Sequence, residues 1–213
     1  MTDTTVIIKT IGRKSLKNAI QSSRREGFKT IVVSDGVKTN ADGAHMFLRL
    51  GRQWGFYGGM AANVGAAMAE TEFITFLDDD DEFILGAGDV IRNSLHHKAA
   101  VDVWIGGVRF KAPVVLKDTK TQEIHYDGTD LAIFPEKGLT EGNVAMPTYR
   151  TKVFENTPFV NSVPENMQHL TDLLHVQALA AKGYTYDWFG KALYLVRPRV
   201  NSLDSKAYNG RGT

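Results

Sequence analysis

The segment from Phe73 to Phe83 constrains this chain more than any other stretch. It opens with Phe73-Ile74-Thr75-Phe76-Leu77 and runs straight into the carboxylates Asp78, Asp79, Asp80, Asp81 and Glu82. A short apolar run of this kind reads as a strand buried on both faces. The acids cannot follow it into the core, because neighbouring carboxylates repel and each resists leaving water. The strand must therefore end at a surface, with negative charge gathered at its carboxyl end. A divalent cation would account for that charge, since Mg²⁺ and Mn²⁺ prefer oxygen ligands and share them with substrate phosphates. The carboxyl end of a buried strand is also where an open α/β sheet binds such a ligand. The plainer alternative is a solvated acidic loop.

The surrounding segments alternate. Val6-Ile7-Ile8 is another wholly apolar run. Ser15 to Arg25 follows, with Leu16, Ala19 and Ile20 at helical spacing and Gly27 as its stop. Thr30-Ile31-Val32-Val33 reads as a buried strand, closed by the turn signal Ser34-Asp35-Gly36. Met46 to Leu50 is a shorter strand, and Gly58-Gly59 leads into an alanine-rich helix from Met60 to Glu70. Strand alternating with helix predicts an α/β fold with a doubly wound parallel sheet.

The second half changes character. A helix is expected from Ala87 to Lys98, then strand at Val101 to Ile105 and at Val108 to Phe110. Lys111 to Phe134 holds β-like pieces broken at Asp118-Thr119-Lys120 and Asp127-Gly128, which predicts a hairpin or meander. The longest helix runs from Glu165 to Lys182, with Met167, Leu170, Leu174, Ala178 and Ala181 on one stripe and Gly183 as its stop. Short strands follow at Tyr184 to Tyr186 and at Ala192 to Val196, and the tail from Asn201 is polar.

Composition narrows the function. At 213 residues with 43% apolar content, one domain with a sizeable core is expected. The 25 basic and 24 acidic residues nearly cancel, which weighs against a nucleic-acid binder. Without cysteine there is no disulfide, thiolate metal site or thiol nucleophile. Met1 to Thr5 has no basic region of the kind that opens a signal peptide, and no apolar run approaches the ~20 residues of a membrane helix. A cytoplasmic protein is expected.

Taken in order, these segments resemble family 2 glycosyltransferases of the GT-A fold. Val6-Ile7-Ile8-Lys9-Thr10-Ile11-Gly12-Arg13 is similar to the family's opening VIIPTYNR, and Ile31-Val32-Val33-Ser34-Asp35-Gly36 to its IVVDDGS. Ala62-Asn63-Val64-Gly65-Ala66-Ala67 resembles RNxGxA, and Phe76-Leu77-Asp78-Asp79-Asp80-Asp81 matches FLDxDD, the DxD motif. Leu179-Ala180-Ala181-Lys182-Gly183-Tyr184 with Leu193-Tyr194 resembles the closing LAxxGY…LY. The similarity covers roughly residues 5 to 200. It departs from the family at Lys9 (proline), Ile11 and Gly12 (tyrosine and asparagine), Ser34 (the first aspartate of DD) and Ala62 (arginine). Arg199 falls near a histidine that helps hold the metal in many members, and the family's ED pair lands on Thr171-Asp172.

The resemblance implies a GT-A-like doubly wound, mostly parallel sheet with a small antiparallel β excursion in the second half. It implies one domain over 1–213, with a nucleotide-sugar and metal half at about 5–100, an acceptor half at about 101–200 and a flexible tail at 201–213. The activity it implies is metal-dependent, inverting transfer of a sugar from a nucleotide-diphosphate sugar to a hydroxyl acceptor such as a glycan. Mn²⁺ or Mg²⁺ would be the cofactor. Asp78 and Asp80 are the metal candidates, because side chains at i and i+2 of an extended chain share a side. The resemblance gives Asp80 the firmer metal role and places Asp78 near the ribose or on a metal-bound water.

Asp35 would accept a hydrogen bond from the base, or be an ordinary Asp-Gly turn. Thr10 and Arg13 would line the same pocket. Lys9 meets a phosphate or points to solvent. Asp172 would be the general base that deprotonates the acceptor, with Glu165 in reserve; the plainer role is an exposed helix carboxylate. Arg197 and Arg199 would touch the diphosphate, or join Lys206 and Arg211 in greeting an anionic acceptor. His45, His96, His97, His125, His169 and His175 show no metal spacing. Trp104 and Trp188 pack in the core or stack on a sugar. A nucleotidyltransferase could share such a sheet and metal site, but the Asp172 region and the closing motif favour sugar transfer. The alternatives are a non-catalytic nucleotide-sugar-binding protein and a glycosyltransferase acting on modified nucleic acid. A partner or a homodimer would complete the short acceptor half.

Overall fold

The computed structural model describes residues 3–55, 58–97, 100–110, 114–117, 123–126, 130–131, 147–160 and 171–196. Strand β1 (Thr4–Thr10) lies inside the sheet, and its side chains alternate between two helical layers. Val6 and Ile8 pack with Leu16, Ala19 and Ile20 of α1 (Leu16–Arg25), whereas Ile7 packs with Ala62 and Ala66 of α2 (Gly59–Ala67). The period of two along a strand sends neighbours to opposite faces, so an unbroken apolar run needs cover on both. β2 (Lys29–Ser34) and β4 (Phe73–Asp78) follow the same rule. Val32, Phe73 and Leu77 face the α1 layer, and Ile74 and Phe76 face the α2 layer. A Cβ on Gly65 would stand 2.4 Å from Ile7 Cγ2, so glycine lets α2 settle onto β1.

The main sheet has the order β3-β2-β1-β4-β10-β6-β11-β5, with β9 on β6. β3 (Met46–Arg49), β2, β1 and β4 are mutually parallel, and β6 (Val103–Phe110) pairs in parallel with β11 (Tyr186–Val196). The shorter contacts of β10 (Thr148–Arg150), β5 (Glu82–Phe83) and β9 (Asp130–Leu131) are antiparallel. β7 (Val114–Lys117) and β8 (Glu123–Tyr126) form a separate antiparallel pair within the segment expected to hold a hairpin. α3 (Ala87–His97) joins the α1 layer. α4 (Thr151–Asn156) and α5 (Thr171–Ala181) join the α2 layer.

Three elements differ from expectation. The strands foreseen at 184–186 and 192–196 are one strand, β11, interrupted by register shifts around Ala192. α2 stops at Ala67 rather than Glu70. The apolar stripe expected on the last helix is not its buried face. Leu174 and Ala178 are half-buried and Ala181 is exposed, while His175, Val176 and Leu179 are buried. The partners decide this, because α5 docks on the rings of Tyr149, Phe154 and Phe159. Trp104 is a core residue with no exposed surface, edge-on to Phe73 at 5.6 Å. Among the described residues no helix is long and apolar enough to cross a membrane.

From β1 the chain passes through α1 to β2 on one side. From β3 it returns through α2 to β4 on the other side and the opposite face. The direction of winding reverses between β1 and β4, which opens a crevice at their carboxyl ends.

Candidate functional site

Lys9 stands opposite Asp78 in the parallel register of β1 and β4, so both strands end together at this crevice. Beyond β4 the chain turns tightly, with the Asp81 N–H donating to the Asp78 carbonyl at 3.1 Å. The turn sorts the carboxylates. Asp79 swings inward and is 1% exposed. Asp78, Asp80 and Asp81 each offer an oxygen, and these oxygens lie within 4.8 Å of one another. Asp78 and Asp80 thus converge as expected, but through a turn rather than an extended chain, and Asp81 joins them.

Asp79 ties the two loops together. Its Oδ2 accepts from the Thr10 hydroxyl at 2.5 Å and from the Ile11 N–H at 3.2 Å. Its Oδ1 takes the Arg13 guanidinium at 2.5 Å. The Thr10 hydroxyl in turn accepts the Gly12 N–H at 2.9 Å, where Gly12 has φ +86°. Thr10 and Arg13 therefore build the wall of the crevice from inside. Partial burial disfavours the Arg13 charge, but the hydrogen bond to Asp79 and the charges of Asp79, Asp80 and Asp78 outweigh it, so its pKa is raised.

The donor chemistry of Asp78, Asp80 and Asp81 suits a hard divalent ion, which takes carboxylate oxygens. Two cationic side chains already stand against these residues: Lys9 Nζ is 3.2 Å from Asp78 Oδ1, and Arg13 Nη1 is 3.4 Å from Asp80 Oδ1. The group fits a cation by ligand type, by spacing and by the positive charge it attracts from within the chain.

Asp35 follows β2 and is 4% exposed. Its backbone N–H donates to the Thr10 carbonyl at 2.9 Å, which joins it to the end of β1. Its carboxylate accepts the backbone N–H groups of Trp54 (2.8 Å) and Gly55 (2.9 Å). This clamp draws the 51–55 segment over Gly36, where a Cβ would stand 2.4 Å from the Arg52 backbone. Gly36 also has φ +76°, so glycine is required twice over. The Arg52 guanidinium lies 4.0 Å from the ring centre of the part-exposed Trp54.

Asp172 is the second residue of α5, and its side chain lies outside the described residues. Glu165, His169, Arg197, Arg199, Lys206 and Arg211 also lie outside them. Asn63 of α2 exchanges two hydrogen bonds with the Phe159 backbone (2.9 and 3.0 Å), which fixes the chain just past α4 against α2. His175 is buried among the rings, and that burial pushes its pKa down to about 4.

Read from sequence, Asp79, Asp81 and Glu82 are outer-shell groups around a metal or caps of the following helix; the inward role of Asp79 and the pairing of Lys9 with Asp78 were not foreseen. The acid run carried a signal for Asp81. Nothing in it distinguished Asp79 from its neighbours, because the sorting depends on a turn and on Arg13, far away in sequence.

No protein-family model and no curated protein matches the sequence. Solved structures do match in fold. The crystal structure of S. aureus TarS 1-349 superposes with a TM-score of 0.64 at 17% identity, over 92% of this chain and 60% of that one. TarS 1-349 in complex with UDP-GlcNAc gives 0.66 at 18% identity, over 97% of this chain and 61% of that one. The complex with UDP gives 0.63 at 18%, over 93% and 61%. The chain spans about three fifths of the length of these TarS chains. The likeness shows the fold: a GT-A-like α/β architecture.

Proposed function

We propose that this chain is a metal-dependent, inverting glycosyltransferase that moves a sugar from a nucleotide-diphosphate sugar to a hydroxyl acceptor. The observation that carries this reading is the convergence of Asp78, Asp80 and Asp81 at the sheet's switch point. The fold supports it, because S. aureus TarS shares the architecture and has been crystallised with UDP and UDP-GlcNAc. Bound there, a Mn²⁺ or Mg²⁺ ion supplies Lewis-acid stabilisation of the leaving diphosphate. Asp78, Asp80 and Asp81 hold the ion, and Arg13 keeps the crevice wall in place. Asp35 receives the base; each of its oxygens already accepts one N–H and has a lone pair left for a second. Asp172 takes the acceptor's proton as the hydroxyl attacks from the face opposite the diphosphate.

A thermal-shift titration with UDP and UDP-GlcNAc, with and without Mn²⁺, tests the reading. A ligand at about 100 times its Kd should raise the melting temperature by about 5–10 °C for a chain of this size. Asp80→Ala should lose the Mn²⁺-dependent part. Asp172→Asn should keep the shift but lose sugar transfer, since only proton removal is affected. A shift without donor turnover in the unaltered protein would point to a binding protein instead. No shift with any nucleotide sugar would end the proposal.

A further inference from the structure

Lys9 departs from the family pattern at a position the sheet brings against the acids. It sits one residue from the end of β1, directly across from Asp78. A lysine there was expected either to meet a phosphate or to point to solvent. It does not point to solvent, because its side chain is only 16% exposed. Its stem lies along Gly58, where an added Cβ would come within 2.8 Å of Lys9 Cδ and 3.3 Å of Lys9 Cβ. Gly58 has φ +81°, so backbone conformation and lack of a side chain together make the channel the stem occupies. The channel delivers the ammonium to Asp78 Oδ1 at 3.2 Å.

We propose that Lys9 is a tethered cation that holds Asp78 until a divalent ion displaces it, and that it then turns to the phosphates of the donor. This rests on the cation reading of the site given above. An ammonium and a divalent ion cannot share one carboxylate without repulsion, so the lysine weakens ion binding when no nucleotide is present. A bound diphosphate offers the displaced ammonium a new anionic partner. Ion and nucleotide therefore help each other bind, and by linkage each tightens the other by the same factor.

The test is a titration of Mn²⁺ alone, followed by the electron paramagnetic resonance signal of the free ion, on the unaltered chain and on Lys9→Met. Methionine keeps most of the stem and removes the charge. The variant should bind Mn²⁺ about tenfold more tightly, the scale of one contact between unit charges near water. It should also lose most of the mutual enhancement between Mn²⁺ and UDP. Lys9→Gln serves as a second variant should methionine disturb folding, with circular dichroism as the check. Mn²⁺ affinity unchanged within twofold, or weakened, in the folded variants would overturn the role of Lys9 and leave the proposed function standing. Failure of the unaltered chain and of both folded variants to bind Mn²⁺, with UDP as well as without it, would overturn both, and UDP binding in chelator would then test the donor reading separately.

Discussion

At the scale of single residues, the candidate site depends on one carboxylate that faces away from it. Asp79 is buried, and its two oxygens receive the Thr10 hydroxyl, the Ile11 N–H and the Arg13 guanidinium. Replacing it with asparagine leaves one acceptor oxygen and turns an N–H₂ group toward a donor. A buried charge-assisted pair then loses its anion, and Arg13 keeps a charge with less to offset it. Asp79→Asn should cost about 1–3 kcal/mol, read as a lower urea midpoint with unchanged slope. A loss below about 0.5 kcal/mol, the range of an ordinary surface change, would show that the loop does not depend on this contact. That acids follow an apolar strand is visible in sequence, and it placed Asp78 and Asp80 at the site. Which acid turns inward is not visible, because Thr10 and Arg13 select it from another loop.

Among the elements, α3 shows how a helix can be started by a residue far away. Its first turn contains no side-chain cap from the adjacent chain among the described hydrogen bonds; instead Glu26, just past α1, reaches across. Glu26 Oε2 accepts the N–H groups of Gly86 (2.9 Å) and Gly88 (3.1 Å), and Oε1 meets Arg25 Nε at 3.0 Å. The approach is close enough that a Cβ on Gly88 would fall 2.3 Å from the Glu26 carbonyl. An acidic group at a helix start satisfies orphan N–H donors and opposes the positive end of the dipole. Glu26→Ala should therefore destabilise the protein by about 1–2 kcal/mol. Amide hydrogen exchange should quicken first at the start of α3, and uniform quickening across the sheet would contradict a capping role. The unbroken apolar runs of β1, β2 and β4 and the helical spacing of α1 were legible from sequence. β5 and β10 were not, since strands of two or three residues form only where a long-range neighbour offers its edge.

Across the whole molecule, the packing of α5 on the sheet rests on an aromatic box whose fourth wall is a titratable ring. His175 of α5 lies 4.5 Å from the Phe159 ring, 5.3 Å from Phe154 and 5.4 Å from Tyr149, measured between ring centres. The closing motif around Leu179 marked α5 as an element, but its helical stripe did not reveal this face, because a histidine reads as polar until its surroundings are known. Burial lowers the folded-state pKa from 6.5 to about 4. The unfolded chain therefore binds a proton between these values while the folded chain refuses it. The contribution is complete above pH 6.5 and is lost progressively as pH falls toward 4. Integrated from pH 7.5 to 4.5, it amounts to about 2.5 kcal/mol. Other acids add their own pH dependence, so the informative quantity is the difference between the unaltered protein and His175→Leu. That difference should shift by about 2.5 kcal/mol in favour of the leucine variant across the interval, measured by urea unfolding at each pH. Parallel curves would mean that His175 can take up a proton without leaving its box. The consequence reaches the proposed chemistry, since Asp172 lies three positions earlier on the same helix. Acid that loosens α5 should then remove sugar transfer before it removes donor binding, because the residues proposed to hold the donor sit on or just past β1, β2 and β4 and not on α5.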